Sequence, residues 1–501
     1  MSTREEVQAY DGISFPGRTF ANTVLEPVFN TQRDYYYHDF LYISYAHVVM
    51  LAEQKIITED EARGIISGLD QVAKQDFSHV RYNPAYEDMF FTIEKELEML
   101  IGADLAGRMH IARSRNDIGL CEYRMALRRE YLRVLDALLR FMDTLKRVID
   151  ENLDTVMPAY THTQPAQPTT FSHYLLAFYD GLERSMRRCI AAWHNINLSP
   201  IGAAAITTTG FPISRERMCQ MLGFDAMVEN SYDCIAGVDY LTEAAASLLI
   251  LGTDLSRFLK DTLDFCTYEY GYYRLADPYV QISSIMPQKR NPSSLEHARP
   301  LASQLVAESK CVFDMLHNTP FGDMVDSEEE LQPHLYAAIE RAESVLNLLN
   351  SNYATMTLRK DVMLRRAGEG FIGATEIADT LVREKGLSFR ESHRITSKIV
   401  RGMYNRGLIQ QELTQEMLDD ILADEKYLHI EADMVLKALD PKQFVQIRTV
   451  TGGPGQSAMK KMLAEREKRM QAYQARRKEM KDTLAFGENH LKSALEKYRC
   501  I

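Results

Sequence analysis

From Leu120 to Met157 the chain has no glycine or proline, while Leu120, Met125, Leu127, Leu132, Leu135, Leu138, Leu139, Met142 and Leu145 recur at helical spacing. At the helical rise this run predicts one helix more than about 50 Å long. A helix of that length cannot bury its apolar stripe against a small domain, so it needs partners of similar length. Phe171 to Ile196, Tyr240 to Phe265, Leu295 to Leu316 and Leu331 to Leu349 repeat the pattern, with Pro300 and Pro333 kinking or starting two of them. The expected architecture is a long helical bundle, of a length that suits sharing between subunits.

Around this centre the signals are shorter. A helix is expected from about Arg33 to Gln54, and Thr58-Glu59-Asp60-Glu61 is a capping box that opens another. Beyond the bundle, turn signals at Arg383 to Ser388, Asp440-Pro441 and Gly452-Gly453-Pro454-Gly455 separate short helices, and after Gln456 a highly charged helix runs toward the C-terminus. Alternating β-branched patterns are nearly absent, so the chain reads as mainly α. With 501 residues it exceeds what one growing core accommodates, and two or three structural units are expected. No internal repeat or low-complexity tract stands out.

A net charge of −12 points away from nucleic acid, although it leaves room for a local basic pocket. The first residues lack the basic and apolar regions of a secretory signal, and no apolar run reaches the ~20 residues of a membrane span. A soluble, cytoplasmic protein without membrane association is the expectation. Cys121, Cys189, Cys219, Cys234, Cys266, Cys311 and Cys500 are dispersed, with no CxxC pair, and read as reduced thiols rather than a disulfide frame or zinc site.

Three polar clusters can carry chemistry. Ser283 to Glu296 places two hydroxyls, Lys289, Asn291 and Glu296 around Pro287 and Pro292, which makes Ser283 to Asn291 a loop feeding a helix. Ser283 would need nearby cations or amides to act as a base. Capping by Asn291, or by Ser293 with Glu296, explains part of this segment without chemistry, but not Ser283, Ser284 and Lys289, which precede the helix. Tyr160 to Pro168 sets His162 among donors on a proline-stiffened loop, where it could exchange a proton near neutral pH or simply hydrogen-bond. His110, His194, His317 and His429 receive the plainer reading. Arg113-Ser114-Arg115-Asn116-Asp117, at the entrance to the long helix, is either an anion site or an N-cap flanked by solvated arginines.

Together these segments resemble a known family. Ser283 to Glu296 is similar to the segment that carries the Gly-Ser-Ser-x-Met-Pro-x-Lys-x-Asn signature of the aspartase/fumarase superfamily. His110 to Asp117 and Tyr160 to Pro168 resemble its argininosuccinate lyase branch, as do Ile201 to Ala204, Phe211-Pro212, Leu222 to Asp225, Glu229 to Ser231, Ser388 to Glu391 and Arg448 to Gly453. The resemblance implies a three-domain, mainly α fold: 1–112 N-terminal, 113–364 the central bundle and 365–501 a small C-terminal unit. It also implies a homotetramer whose composite sites each draw the three segments from three subunits.

The implied reaction eliminates an amine from an N-substituted aspartate, releasing fumarate with no metal or organic cofactor. Ser283 would take the Cβ proton, with Ser284 as the alternative base, and Lys289 and Asn291 would steady the doubly charged aci-carboxylate. His162, paired with Glu296, would handle a proton or contact substrate. Thr161, Ser114, Asn116 and Arg115 would hold carboxylates, and Arg113, Ser284 and Met286 would complete the contact set.

Ile282 replaces the glycine before the two serines, which bears on how freely the loop moves and leaves Ser284 open as the base. The other departures from the branch fall on the leaving-group side: Ala236-Gly237-Val238-Asp239-Tyr240 replaces Ser-Asp-Arg-Asp-Phe, Phe321 to Ser327 replaces a stretch with a tyrosine and a glutamine, and near Phe29 to Tyr37 the branch's serine and aspartate have no clean counterpart. Each lost buried partner costs about 1–3 kcal/mol. The expected substrate is therefore an N-substituted aspartate other than argininosuccinate, with aminopolycarboxylic acids such as ethylenediamine-disuccinate first. Argininosuccinate itself and a non-catalytic, crystallin-like role are the alternatives. A metal enzyme is the weakest rival, since no HExxH or paired-carboxylate spacing occurs.

Overall fold

Five helices form the spine of the chain: Arg115–Asp150, Phe171–Ile196, Asp239–Cys266, Ser293–Leu316 and Gln332–Thr355. The first packs on the second and fifth, the second on the third, the third on the fourth and the fourth on the fifth, which closes a ring. Its interior is filled by side chains such as Tyr131, Phe141, Trp193, Leu248, Leu305 and Leu346, all fully buried. Each large side chain of this kind contributes roughly 1.5–3 kcal/mol relative to exposure. This computed structural model describes residues 3–409, 412–425 and 428–499. It has the mainly α fold with a long central bundle expected from the sequence.

The differences from expectation are local. The first bundle helix has 36 residues, about 54 Å, but starts at Arg115 and stops at Asp150 rather than running to Met157. It stops because the following residues pair with each other: Val156–Thr161 and Gln164–Thr170 form an antiparallel hairpin with Pro158 opposite Pro168 and an irregularity at Ala159/Tyr160. The turn is His162-Thr163, with φ of 52° and 63°. Two successive left-handed residues match the right-handed twist of the strands they join. The proline-stiffened loop is thus a two-stranded ribbon with His162 at its tip.

Other boundaries have equally plain causes. The helix expected from Arg33 to Gln54 is broken at Tyr36 into Glu26–Tyr35 and Tyr37–Glu53. Thr58 and Glu61 form the expected capping box. Pro300 lies inside its helix and Pro333 at the start of the next. Ile377, Leu381, Ile395, Ile399, Leu418 and Val435 form a second, smaller core.

The charged C-terminal helix, Gln456–Arg499, then runs back along the molecule. It is tied down by Arg466 to Asp180, Arg477 to Asp136, Lys497 to Glu59 and Arg499 to Asp70. Cys121, Cys189, Cys219, Cys234, Cys266 and Cys311 are free, and Cys500 lies outside the described residues. No helix among the described residues is long and apolar enough to cross a membrane.

Candidate functional site

At the head of the first bundle helix, Ser114 is the N-cap and forms a reciprocal box with Asp117. Asp117 is fully buried and does more than cap. Its Oδ1 accepts from the Ser114 amide at 2.9 Å, and its Oδ2 accepts from the amides of Gly202 at 2.9 Å and Ala204 at 3.0 Å. One carboxylate therefore welds the 113–117 segment to the 201–204 segment, two stretches singled out separately in the sequence. Burial pushes its pKa up to about 6 against the pull of those three amides.

The arginines of this segment divide. Arg113 is buried, with its guanidinium on Glu94 at 3.3 Å and Ser44 at 3.2 Å and over the Phe40 and Phe90 rings. Its charge is engaged with Glu94 inside the protein, whereas the sequence reading sets it in the contact set for substrate. Arg115 is exposed but paired with Asp88 at 2.9 Å and Glu87 at 3.2 Å. Asn116 donates to Asp323 at 2.6 Å and to the Ala205 carbonyl at 3.2 Å.

The loop from Ser283 to Lys289 is closed at its base by the pairing of Gln281–Ile282 with Arg290–Asn291. Ile282 is a strand residue here, where a β-branched side chain suits the extended backbone. Within the loop the Ser283 Oγ accepts from the Met286 amide at 3.1 Å and the Ile285 amide at 3.4 Å. Two N–H groups aimed at one hydroxyl oxygen favour negative charge on it. Among the described residues Ser284 has no comparable contact, and it is exposed, as are Met286 and Lys289. Among the described residues the Lys289 ammonium has no carboxylate partner.

The helix after the loop starts with Pro292 as N-cap and no side-chain cap. The Ser293 and Glu296 capping box does not form. Glu296 lies beside a surface hollow with Lys260, Gln281 and Ser293, and among the described residues no bond joins it to His162. Thr161 and His162 are exposed at the hairpin tip.

The three segments do not meet within one chain. The Tyr160 hydroxyl lies 2.5 Å from that of Tyr272, and Ser294 bonds Asn352 at 3.0 Å, so the hairpin and the Ser283 loop share the end of the bundle where the third and fifth helices finish. Arg115 and Asn116 stand at the opposite end, about 50 Å away along the first helix.

At the Arg115 end lies a cavity of about 530 Å³ that sequence reading missed. Its polar lining consists mostly of Glu87, Asp88, Glu122, Asp323, Glu328, Glu329 and Glu330, with Arg115 its one cationic side chain. Phe20, Val24, Leu25, Val28 and Ile118 give it an apolar side. Arg115, Gly119 and Glu122 recur at i, i+4, i+7, the one face-defining signal visible in the sequence. Glu122 is 6 % exposed, and among the described residues its Oε1 has no hydrogen-bond partner.

Burial, then the carboxylates of Asp39, Asp88 and Glu329, hold the Glu122 pKa well above the usual range. Burial and the neighbouring Asp323 push Glu328 up to about 8. Burial also raises Glu329, whose Oε1 accepts from the Gln32 amide at 2.8 Å. These carboxylates are crowded and short of counter-charge.

Comparison with known proteins fixes the class. Residues 31–307 match the Lyase family, and residues 371–446 match the argininosuccinate lyase C-terminal family. Argininosuccinate lyase 2 of Agrobacterium fabrum is 38% identical over 471 residues, 93% of each chain. Argininosuccinate lyase of Methanocaldococcus jannaschii is 37% identical over 433 residues, 86% of this chain and 87% of its own. The crystal structure of EDDS lyase in complex with formate superposes with a TM-score of 0.84 at 29% identity, covering 98% of both chains.

The fold, the loop and these relatives define a fumarate-releasing carbon–nitrogen lyase. The chain belongs to the argininosuccinate lyase-like branch of the aspartase/fumarase superfamily.

Proposed function

We propose that this lyase reversibly eliminates an amine from an N-substituted L-aspartate, with Ser283 as the base that removes the Cβ proton. The pair of amides at Ser283 Oγ carries this reading, because it stabilises the alkoxide a serine base requires. It favours Ser283 over Ser284. The Cβ proton passes to Ser283 and its electron pair enters the substrate carboxylate as an aci-carboxylate. When that pair returns to form the Cα–Cβ double bond, the Cα–N bond breaks and the amine leaves with its electrons. Lys289, unpaired and on the same loop, with Asn291, offsets the charge that peaks at the intermediate. Thr161, His162, Ser284 and Met286 then serve substrate contact.

Because Asn116 and Ser283 stand at opposite ends of one chain, we place the working site between subunits. An end bearing Arg115 and Asn116 meets the Ser283 loop and the His162 hairpin of neighbouring copies, and His162 pairs with Glu296 across a boundary. A homotetramer of shared bundles provides this arrangement.

The reading is tested by following fumarate at 240 nm with a panel of N-substituted L-aspartates that includes argininosuccinate and ethylenediamine-disuccinate. Fumarate release from at least one member is expected. Silence across the whole panel would sink the assignment. The relatives named argininosuccinate lyases support argininosuccinate as a second reading, and complementation of an arginine auxotroph decides it.

A further inference from the structure

The side chain of Asn116 is fully engaged by its own chain. Its Oδ1 accepts from the Ser114 hydroxyl at 3.1 Å, and one amide hydrogen goes to the Ala205 carbonyl at 3.2 Å. Those two contacts fix which way the amide points. The remaining hydrogen goes to the Asp323 carboxylate at 2.6 Å, the shortest contact the group makes. A carboxylate of the protein thus occupies the donor that the lyase reading gives to a carboxylate of the substrate.

The segment that carries Asp323 is lightly held. It joins the helix ending at Leu316 to the helix starting at Gln332, and from His317 to Asp326 no residue is fully buried. Phe321 is 68% exposed and Val325 62%. The Phe321 ring stacks on that of Tyr232 with centroids 5.9 Å apart, and the Tyr232 hydroxyl donates to the Phe321 carbonyl at 3.3 Å. A stretch with so little buried surface shifts at small cost. Asp323 also has a second partner within reach. Burial and then Asp323 push Glu328 up to about 8, so at neutral pH Glu328 carries a proton that it can donate to a displaced Asp323.

We propose that Asp323 is an internal competitor for the substrate carboxylate, which holds the Asn116 amide until the aspartate half of the substrate displaces it and so sets the affinity for substrate and for fumarate. This rests on the lyase reading above and deepens it. The incoming carboxylate takes the same N–H and exchanges one charge-assisted hydrogen bond for another. A self-contact made about nine times in ten leaves only the open tenth to bind, which weakens the ligand about tenfold. Asp323 touches neither the Cβ proton nor the Cα–N bond, so its effect falls on binding and leaves the chemical step to Ser283.

The test measures fumarate binding to the assembled protein by calorimetry, and KM and kcat with whichever N-substituted aspartate of the panel is cleaved. Asp323→Ala should tighten fumarate about tenfold and lower KM by a similar factor, with kcat within about twofold of native. Asp323→Asn keeps the shape and a neutral acceptor, so its gain should be about threefold, and it carries the test alone if the alanine variant does not fold. In an Asn116→Ala background the gain should shrink below about twofold. Fumarate binding that is unchanged or weaker in the Asp323 variants overturns the inference. So does an equal gain with Asn116 replaced, since the effect would then be one of charge at a distance. Either result leaves the lyase reading standing. No fumarate from any member of the panel overturns the lyase reading and the inference with it.

Discussion

Ser283→Ala lowers the rate of fumarate release by about 10³-fold while leaving thermal stability close to that of the native protein. The rate effect follows from losing the group that carries the Cβ proton, since acid–base catalysts of this kind contribute about 10²–10⁴-fold. The stability effect is small because Ser283 is only partly buried and its contacts are with amides of its own loop. Ser284→Ala, which removes no such contact, costs less than about tenfold. Steady-state fumarate assays and a melting scan on both variants check this. Ser284→Ala as damaging as Ser283→Ala, or Ser283→Ala retaining native rate, contradicts the assignment of the base.

Asp117→Ala has the largest expected effect on stability, on the order of 4 kcal/mol. Three buried amides, those of Ser114, Gly202 and Ala204, lose their acceptor together, and each orphaned donor costs about 1–3 kcal/mol. Asp117→Asn keeps an oxygen for Gly202 and Ala204 and loses the Ser114 contact, so it costs roughly 1–2 kcal/mol.

The pH dependence has a definite sign. Asp117 is raised from 3.8 to about 6 in the fold. Its titration therefore contributes stability that is fully present below pH 3.8 and lost as pH rises through about 6. The Asn variant does not titrate, so its deficit relative to the native protein shrinks between pH 4 and pH 7. Denaturant unfolding at the two values measures this, and a deficit that grows with pH contradicts it.

The bundle was legible because its signal is long and local. Phe171–Ile196 coincides with its apolar run, and the other four helices end within a few residues of theirs, apart from the stop at Asp150. The hairpin was not legible, because Pro158, Pro165 and Pro168 mask a ribbon that only cross-strand pairing reveals.

The candidate site divides in the same way. Ser283, Lys289 and Asn116 belong to contiguous motifs, and Ser114 declares its capping role through Asp117 three residues on. The inward turn of Arg113 depends on Glu94 and Ser44, and the acidic cavity gathers residues near 88, 122 and 328. Such sites exist only once the chain has folded, and no spacing rule reaches across those intervals. Only the fold shows that Glu328, Glu329 and Glu330 line one cavity with Glu122 and Asp88.

The central claim, that one working site joins opposite ends of different chains, is tested most directly by mixing two impaired proteins. Asn116→Ala and Ser283→Ala each lie in every site of their own oligomer. Hybrids formed by co-expression contain some sites in which both segments are native, because the two come from different copies. The account predicts that the hybrids release fumarate far faster than either parent. Hybrids confirmed to contain both chains yet no more active than the parents would show that the two segments act within a single chain, contrary to their placement about 50 Å apart along the bundle.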